Sequence, residues 1–223
     1  MPISRPQLLV TVALALLLTG CSGKNQYGAQ LPYDAWRLGF LAPNYMEVWI
    51  ETADVVDTKN RVFKRAMSGV AAIQTPPKLR GNAVGWTKYP GRGAGKYVYG
   101  ADLPELVYVR WQSLAEQQTY QAWIFISQET RQSMLEGGQI YCKSDDQWIT
   151  DHRENLVIGL APGGVAKVWT KGTCMDPIEV SRVQGIVVEV GPYDGKSNGE
   201  YFGPPNEASQ AYIDKYGIPF DSW

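Results

Sequence analysis

The chain has 223 residues, with 21 basic and 22 acidic side chains, one histidine and a net charge of −1. That balance, without any run of lysines or arginines, excludes the electrostatic footprint of a nucleic-acid-binding protein. Only 19% of the residues are charged while eight are Trp and thirteen are Tyr, which excludes a disordered stalk and demands a packed globule.

The first element is a leader. Arg5 precedes Leu8 to Leu18, eleven residues with Thr11 the only polar one, and spanning a bilayer takes roughly 20 apolar residues. An apolar stretch this short, closing on Leu18-Thr19-Gly20-Cys21, reads as a secretory signal cut between Gly20 and Cys21. The Leu-Thr-Gly-Cys ending resembles the lipobox of bacterial lipoproteins. That resemblance implies acylation of the Cys21 thiol, cleavage ahead of it and acylation of the new amino terminus. Three acyl chains, at about 0.8 kcal/mol per buried methylene, anchor a protein for practical purposes permanently. Ser22, rather than Asp, follows the cysteine, and by the sorting rule of enterobacteria-like systems this implies an outer-membrane lipoprotein facing the periplasm. Residues 22–31 lack apolar periodicity and read as a tether of at most roughly 35 Å. The expected organisation is a signal peptide over 1–20, a lipidated terminus and tether over 21–33, and one β-rich domain over 34–223.

Strand signals dominate that domain. Met46 to Thr52 alternates apolar with polar residues, as a half-buried strand does. The segment from Arg61 to Ala72 fits a helix loosely and a strand equally well. Leu106 to Trp111 and Tyr120 to Ile126 flank the polar turn Ser113 to Thr119 and read as a β-hairpin. Trp111 and Trp123 are expected in the core. Ser127 predicts a capped helix over Gln128 to Glu136, with Gly137 as its stop. Gln139 to Lys143, Leu156 to Leu160, Ala166 to Thr170 and Val183 to Val190 add short strands. Asn206 predicts a second capped helix over Glu207 to Lys215, ended by Gly217. Breakers such as Pro90-Gly91, Pro162-Gly163-Gly164 and Gly191-Pro192 separate these elements. The expected class is mainly β (α+β): an antiparallel β-sandwich or curled barrel-like sheet with two short helices.

Candidate chemistry is sparse. Gly91-Arg92-Gly93-Ala94-Gly95-Lys96 has the look of a phosphate loop, but Pro90 stands where a Gly is needed and Tyr97 where a Ser or Thr is needed. Gly195-Lys196-Ser197 has the right ending, with Val190 in place of the Gly. His152 is the only base poised for neutral pH, and no Gly-x-Ser-x-Gly elbow accompanies it. Asp145, Asp146 and Asp151 lack a calcium-loop pattern. No catalytic residue, metal site or cofactor is assigned. An oxidising periplasm favours a disulfide between Cys142 and Cys174, with two separately buried thiols as the alternative. Tyr193, Tyr201 and Phe202, in the Gly-rich stretch 191–203, are the candidate recognition loop.

Four ordered blocks carry a family resemblance. Leu103-Pro104 to Tyr120 resembles the central signature of the bacterial lipoproteins grouped as domain of unknown function 2931. Trp36-Arg37-Leu38-Gly39-Phe40 with Pro43, Gly159 to Gly172, and Gly217 to Trp223 are similar to that family's opening, second and closing blocks. The family brings no catalytic motif. Some small periplasmic lipoproteins of this sort lie beside toxins of the type VI secretion system and act as immunity proteins. The resemblance therefore implies a lipid-anchored binding protein without catalytic activity, held to the membrane by its acyl chains and partnered by a protein effector. The alternatives are an envelope-glycan or small-ligand binder and, behind these, a hydrolase.

Overall fold

In the computed structural model of the protein, residues 30–223 are described. Two sheets stack about one core. The first contains β1 (Trp36–Leu41), β5 (Ala94–Val98), β10 (Asn155–Leu160), β11 (Val165–Lys171) and β12 (Ile178–Gln184), in the order β12-β11-β10-β1-β5. The second contains β2 (Val48–Asp57), β3 (Val62–Met67), β6 (Pro104–Ser113), β7 (Gln118–Phe125) and β13 (Ile186–Val187), in the order β13-β7-β6-β2-β3, with β4 (Val70–Ala72) also on β2. A hairpin of β8 (Gly137–Cys142) and β9 (Gln147–His152) forms a separate two-stranded ribbon. The expected mainly β, α+β class is observed, as two open sheets.

The core follows from the two-residue period of a strand. Trp36, Leu38, Phe40, Leu156, Ile158 and Val168 point inward from the first sheet and meet Ile50, Val55, Val107, Val109, Trp111 and Ile124 from the second. Fully burying an aliphatic or Phe side chain contributes about 1.5–3 kcal/mol, so this layer dominates the stability of the sandwich. All pairings in the two sheets are antiparallel except β1 with β10, which run parallel with Leu38 beside Leu156 and Leu41 beside Gly159. The matching Leu-Ala-Pro segments after Phe40 and Gly159 thus leave the same end of the sheet side by side.

Both predicted helices form with their predicted caps. Ser127 Oγ accepts from Thr130 N ahead of α1 (Gln128–Leu135), and Asn206 Oδ1 accepts from Ser209 N ahead of α2 (Glu207–Tyr216). Gly217, at φ 73°, ends α2 in a conformation that favours glycine. Gly137 opens β8 directly as well as following α1. The ambiguous segment 61–72 is strand, broken at Gly69.

Three expectations change. The strand expected over Val183 to Val190 is divided: β12 ends at Gln184 in one sheet and β13 begins at Ile186 in the other. Gly185 makes the crossing over Trp111, whose ring would lie 2.6 Å from a Cβ there. Trp123 is 42% exposed rather than core, because its cross-strand partner Tyr108 lies on the outward parity of β6. Strands β1, β5, β9 and the first five residues of β12 are additional to those predicted, and Val188 to Val190 are not strand.

A smaller core lies beneath the C-terminus. Tyr45, Met46, Ala83, Ala161 and Trp223 pack together, Trp223 Nε1 donates to Ala83 O at 2.8 Å, and the Tyr45 and Tyr212 rings stack at 4.3 Å. The buried Glu47 carboxylate fixes α2 here by accepting from Asn206 N at 3.0 Å, Ser209 Oγ at 3.1 Å and the Asn206 amide. At the other end of the chain Leu31 packs on the main core, and Tyr33 Oη donates to Met134 O at 3.2 Å.

Candidate functional site

The outward face of the second sheet is the most distinctive surface of the molecule. Register places Val62, Val56, Leu106 and Phe125 on one rung across four strands. Val62 is 58% and Phe125 70% exposed, with Val56 and Leu106 half-buried between them. The next rung carries Asp54, Tyr108 and Trp123, the two rings 5.2 Å apart and Tyr108 Oη donating to Gln121 Oε1 at 3.0 Å. A third rung runs Thr52, Arg110, Gln121 and the exposed Ile186. The inward partners Val107, Val109 and Trp111 fix this parity, so burying the core obliges β6 and β7 to present Leu106, Phe125, Tyr108 and Trp123 outward. Grouped exposed apolar side chains on a rigid sheet mark interaction surfaces.

The far end of the same face is covered by the loop that follows β13. Phe202 stacks on Trp49 with centroids 3.6 Å apart and planes 6° from parallel. Phe202 N donates to Gln112 Oε1 at 2.7 Å, while Glu51 Oε1 accepts from Gln112 Nε2 and from Tyr193 N, each at 2.8 Å. Arg110 is buried between two carboxylates, with Nε 2.7 Å from Glu51 Oε2 and Nη1 paired with Asp194. Burial alone would lower its pKa, but Asp194 and Glu51 outweigh burial and raise it, so the guanidinium stays charged. A cleft of about 310 Å³ remains between loop and sheet, lined in part by Trp49, Thr52, Arg65, Arg110, Tyr193 and Lys196.

Tyr193 and Tyr201 are half-buried, and Phe202 keeps one ring face on Trp49 while 52% of the residue is exposed. Tyr193 adopts the left-handed φ of 54°, held by its bond to Glu51. The sequence pattern singled out this loop but not the two neighbouring rungs, Leu106 with Phe125 and Tyr108 with Trp123. The signal was available: with Trp111 inward, alternation puts Tyr108 and its hairpin partner outward.

Cys142 and Cys174 form a disulfide with Cα atoms 5.3 Å apart. It ties β8 to the segment after β11. Asp151 supports that segment by accepting four backbone N–H bonds, from His152, Thr173, Cys174 and Met175. His152 meets Tyr33 edge to face at 5.7 Å, and Asp145 and Asp146 lie in the turn of the β8–β9 hairpin. Gly20 and Cys21 lie outside the described residues. Among the described residues, no group of three or more His, Cys, Asp or Glu could hold a metal ion, and no helix is long and apolar enough to cross a membrane.

Two stacked sheets, a disulfide-tied hairpin and two capped helices define a β-sandwich protein of the α+β type, with an exposed apolar rung on one outward sheet face. Residues 22–221 match the family described as "Protein of unknown function (DUF2931)", and the chain belongs to that family. Comparison with curated proteins and with solved structures finds no match.

Proposed function

We propose that this protein is a lipid-anchored periplasmic binding protein that docks a partner protein on the outward face of the second sheet and performs no chemistry of its own. The single observation behind this is the exposed rung Val62, Val56, Leu106 and Phe125, continued by Trp123 and Tyr108, on a backbone held by antiparallel pairing across β3, β2, β6 and β7. Aromatic anchors on a rigid surface concentrate binding energy, and such a surface neutralises an enzyme by covering its active site. The specific reading is an immunity protein against a type VI effector, held at the outer membrane by acyl chains on Cys21.

The test is the affinity of wild type and of Trp123→Ala/Phe125→Ala for a purified effector encoded beside the gene. Two anchors at about 2 kcal/mol each predict a loss of roughly a thousandfold. Equal binding by the variant, or no binding by the wild type, would refute the reading. Cys21→Ala followed by cell fractionation tests the anchor: release in soluble form supports it, and unchanged membrane retention overturns it.

A second reading, an envelope-glycan or small-ligand binder, is favoured by a cleft of about 490 Å³ whose lining includes Tyr33, Tyr97, Tyr99 and Glu154. Tyr97 and Tyr99 stand 5.9 Å apart and are 39% and 70% exposed, a surface on which sugars stack. Saturation-transfer NMR with peptidoglycan fragments separates the two: transfer to these rings selects the glycan reading.

A further inference from the structure

The outward face of the first sheet has a different chemistry, assembled from segments far apart in the chain. β1 pairs with β5 on one side and with β10 on the other, and β10 pairs with β11. This register aligns Tyr97, Arg37, Asn155 and Lys171 on one rung across four strands, directed away from the core. The segment 90–93 lies over the rung and adds Arg92.

The cluster is tightly built. Arg37 Nη1 donates to Arg92 O at 2.5 Å and Nη2 to Gly93 O at 2.8 Å. Arg92 Nε donates to Asn155 Oδ1 at 3.1 Å and Nη2 to Tyr97 Oη at 2.8 Å. Lys171 Nζ donates to Pro90 O at 3.0 Å, and Asn155, which is fully buried, donates through Nδ2 to Lys171 O at 3.1 Å. Gly39 and Gly95 make room for the Arg37 guanidinium. A Cβ on Gly39 would stand 2.7 Å from Arg37 Nη1 and 2.1 Å from Arg92 O, and one on Gly95 would stand 2.9 Å from Arg37 Cζ. The glycine-rich run from Gly91 to Lys96, no phosphate loop by its spacing, is thus the segment that lays Arg92 across the sheet.

What the cluster lacks is a counter-charge in contact. Among the described residues, none of the three cations forms an ion pair with a carboxylate; their acceptors are carbonyls, an amide oxygen and a phenol. Glu154 and Asp176 act on Arg92 and Lys171 only at longer range. Burial first, and the like charge of Arg92 second, pull Arg37 and Lys171 below their ordinary pKa values. An arginine carries five N–H donors and a lysine three. The bonds described use two of those on Arg37, two on Arg92 and one on Lys171, so donors remain on all three.

We infer that Arg37, Arg92 and Lys171, set by Asn155 and Tyr97, form an oxyanion-binding site for a phosphoryl group. A carboxylate offers one charge and two oxygens; a phosphoryl group offers up to two charges and three free oxygens, which matches three neighbouring cations that each keep unused donors. The cleft lined by Tyr33, Asp34, Ala35, Tyr97, Tyr99 and Glu154 shares Tyr97 with the cluster, and its two carboxylates leave it to the uncharged, hydroxyl-bearing remainder of the ligand while the phosphoryl group stays on the cations. This site lies on the opposite sheet from the proposed docking face and is independent of it. The phosphoryl group belongs either to a lipid headgroup or to a phosphorylated sugar.

Calorimetric titration of the purified full-length protein with inorganic phosphate, with soluble dihexanoyl phosphatidic acid and with N-acetylglucosamine 1-phosphate tests the site and its source. Saturable binding of inorganic phosphate, weakened at least tenfold in Arg92→Gln/Lys171→Gln, is expected. Tighter binding of the phosphatidic acid assigns a lipid source and tighter binding of the sugar phosphate a glycan source; either supports the site. No saturable phosphate binding, equal binding by the variant, or acetate binding as tightly as phosphate would overturn it. Arg92→Gln alone, at an exposed position, is the control should the double variant lose its cooperative melt, and it too must weaken phosphate binding.

Discussion

Replacing Asp151 with Asn isolates the device that holds the disulfide-bearing segment. Asp151 is 7% exposed, and its Oδ1 accepts from His152 N at 2.9 Å and Thr173 N at 3.2 Å while Oδ2 accepts from Cys174 N at 2.7 Å and Met175 N at 2.8 Å. Asparagine keeps one of these oxygens and turns an NH2 group towards the other two donors. A hydrogen bond to a charged group contributes about 1.5–3 kcal/mol, so two lost bonds cost about 3–6 kcal/mol. Water reaches Thr173 and the half-buried Cys174 and Met175, which places the expected loss at the lower end, about 3 kcal/mol. For a chain of this size that lowers Tm by roughly 6–12 °C. The pH dependence adds a second readout. Burial alone would raise the Asp151 pKa, but the N–H bonds from Cys174, Met175, Thr173 and His152 outweigh it and hold the carboxyl below its ordinary range. A depressed folded pKa means stability that is full above the unfolded value of about 3.9 and is lost as pH falls through the lower folded value. Urea titrations at about pH 7 and about pH 2 should therefore show a large gap between wild type and variant that closes in acid. A gap under about 1 kcal/mol at neutral pH, or one unchanged in acid, would refute the reasoning.

The disulfide closes a loop of 32 residues, and the chain-entropy relation gives about 3.7 kcal/mol for it; Cys142→Ser/Cys174→Ser should lose stability of that order in chemical denaturation. Hydrogen exchange in the same variant should quicken in the β8–β9 hairpin while β6 and β7 stay protected. Glu47→Ala removes the acceptor of Asn206 N and Ser209 Oγ, so α2 should detach, with a new proteolytic cut appearing between Phe202 and Asn206 and about 3 kcal/mol lost on unfolding. Gly39→Ala places a Cβ 2.1 Å from Arg92 O; the strain should cost about 1–3 kcal/mol in thermal melts.

Local chemistry made much of the fold legible. Alternation identified β2, short runs of β-forming residues between breakers identified β6, β7, β10 and β11, and the caps Ser127 and Asn206 located both helices, because such runs and a cap's side-chain acceptor act within a few residues. β1 was hidden: its Leu38-Gly39-Phe40-Leu41 run is apolar on both faces, since the segment 90–93 and Arg37 cover the outer side. β5 opens on Ala94 and Gly95 after Gly91 and Gly93, carries no apolar pattern, and forms because β1 offers it an edge. The pairing of Cys142 with Cys174 was foreseen from compartment and count, while the Asp151 bonds that shape its surroundings were invisible.

Local sequence carries the class of fold, the two helices with their caps, and a family recognisable from four short blocks, and it marks Tyr193, Tyr201 and Phe202 only as a candidate. Which aromatics face outward, and the gathering of Arg37, Arg92 and Lys171 onto one surface of a nearly neutral chain, come from long-range strand pairing. The physical reason is range. Periodicity and capping are written within a few residues, whereas register between strands of residues 36–41, 94–98, 155–160 and 165–171 is set by the shared core, and no local signal records which outward side chains that core makes neighbours.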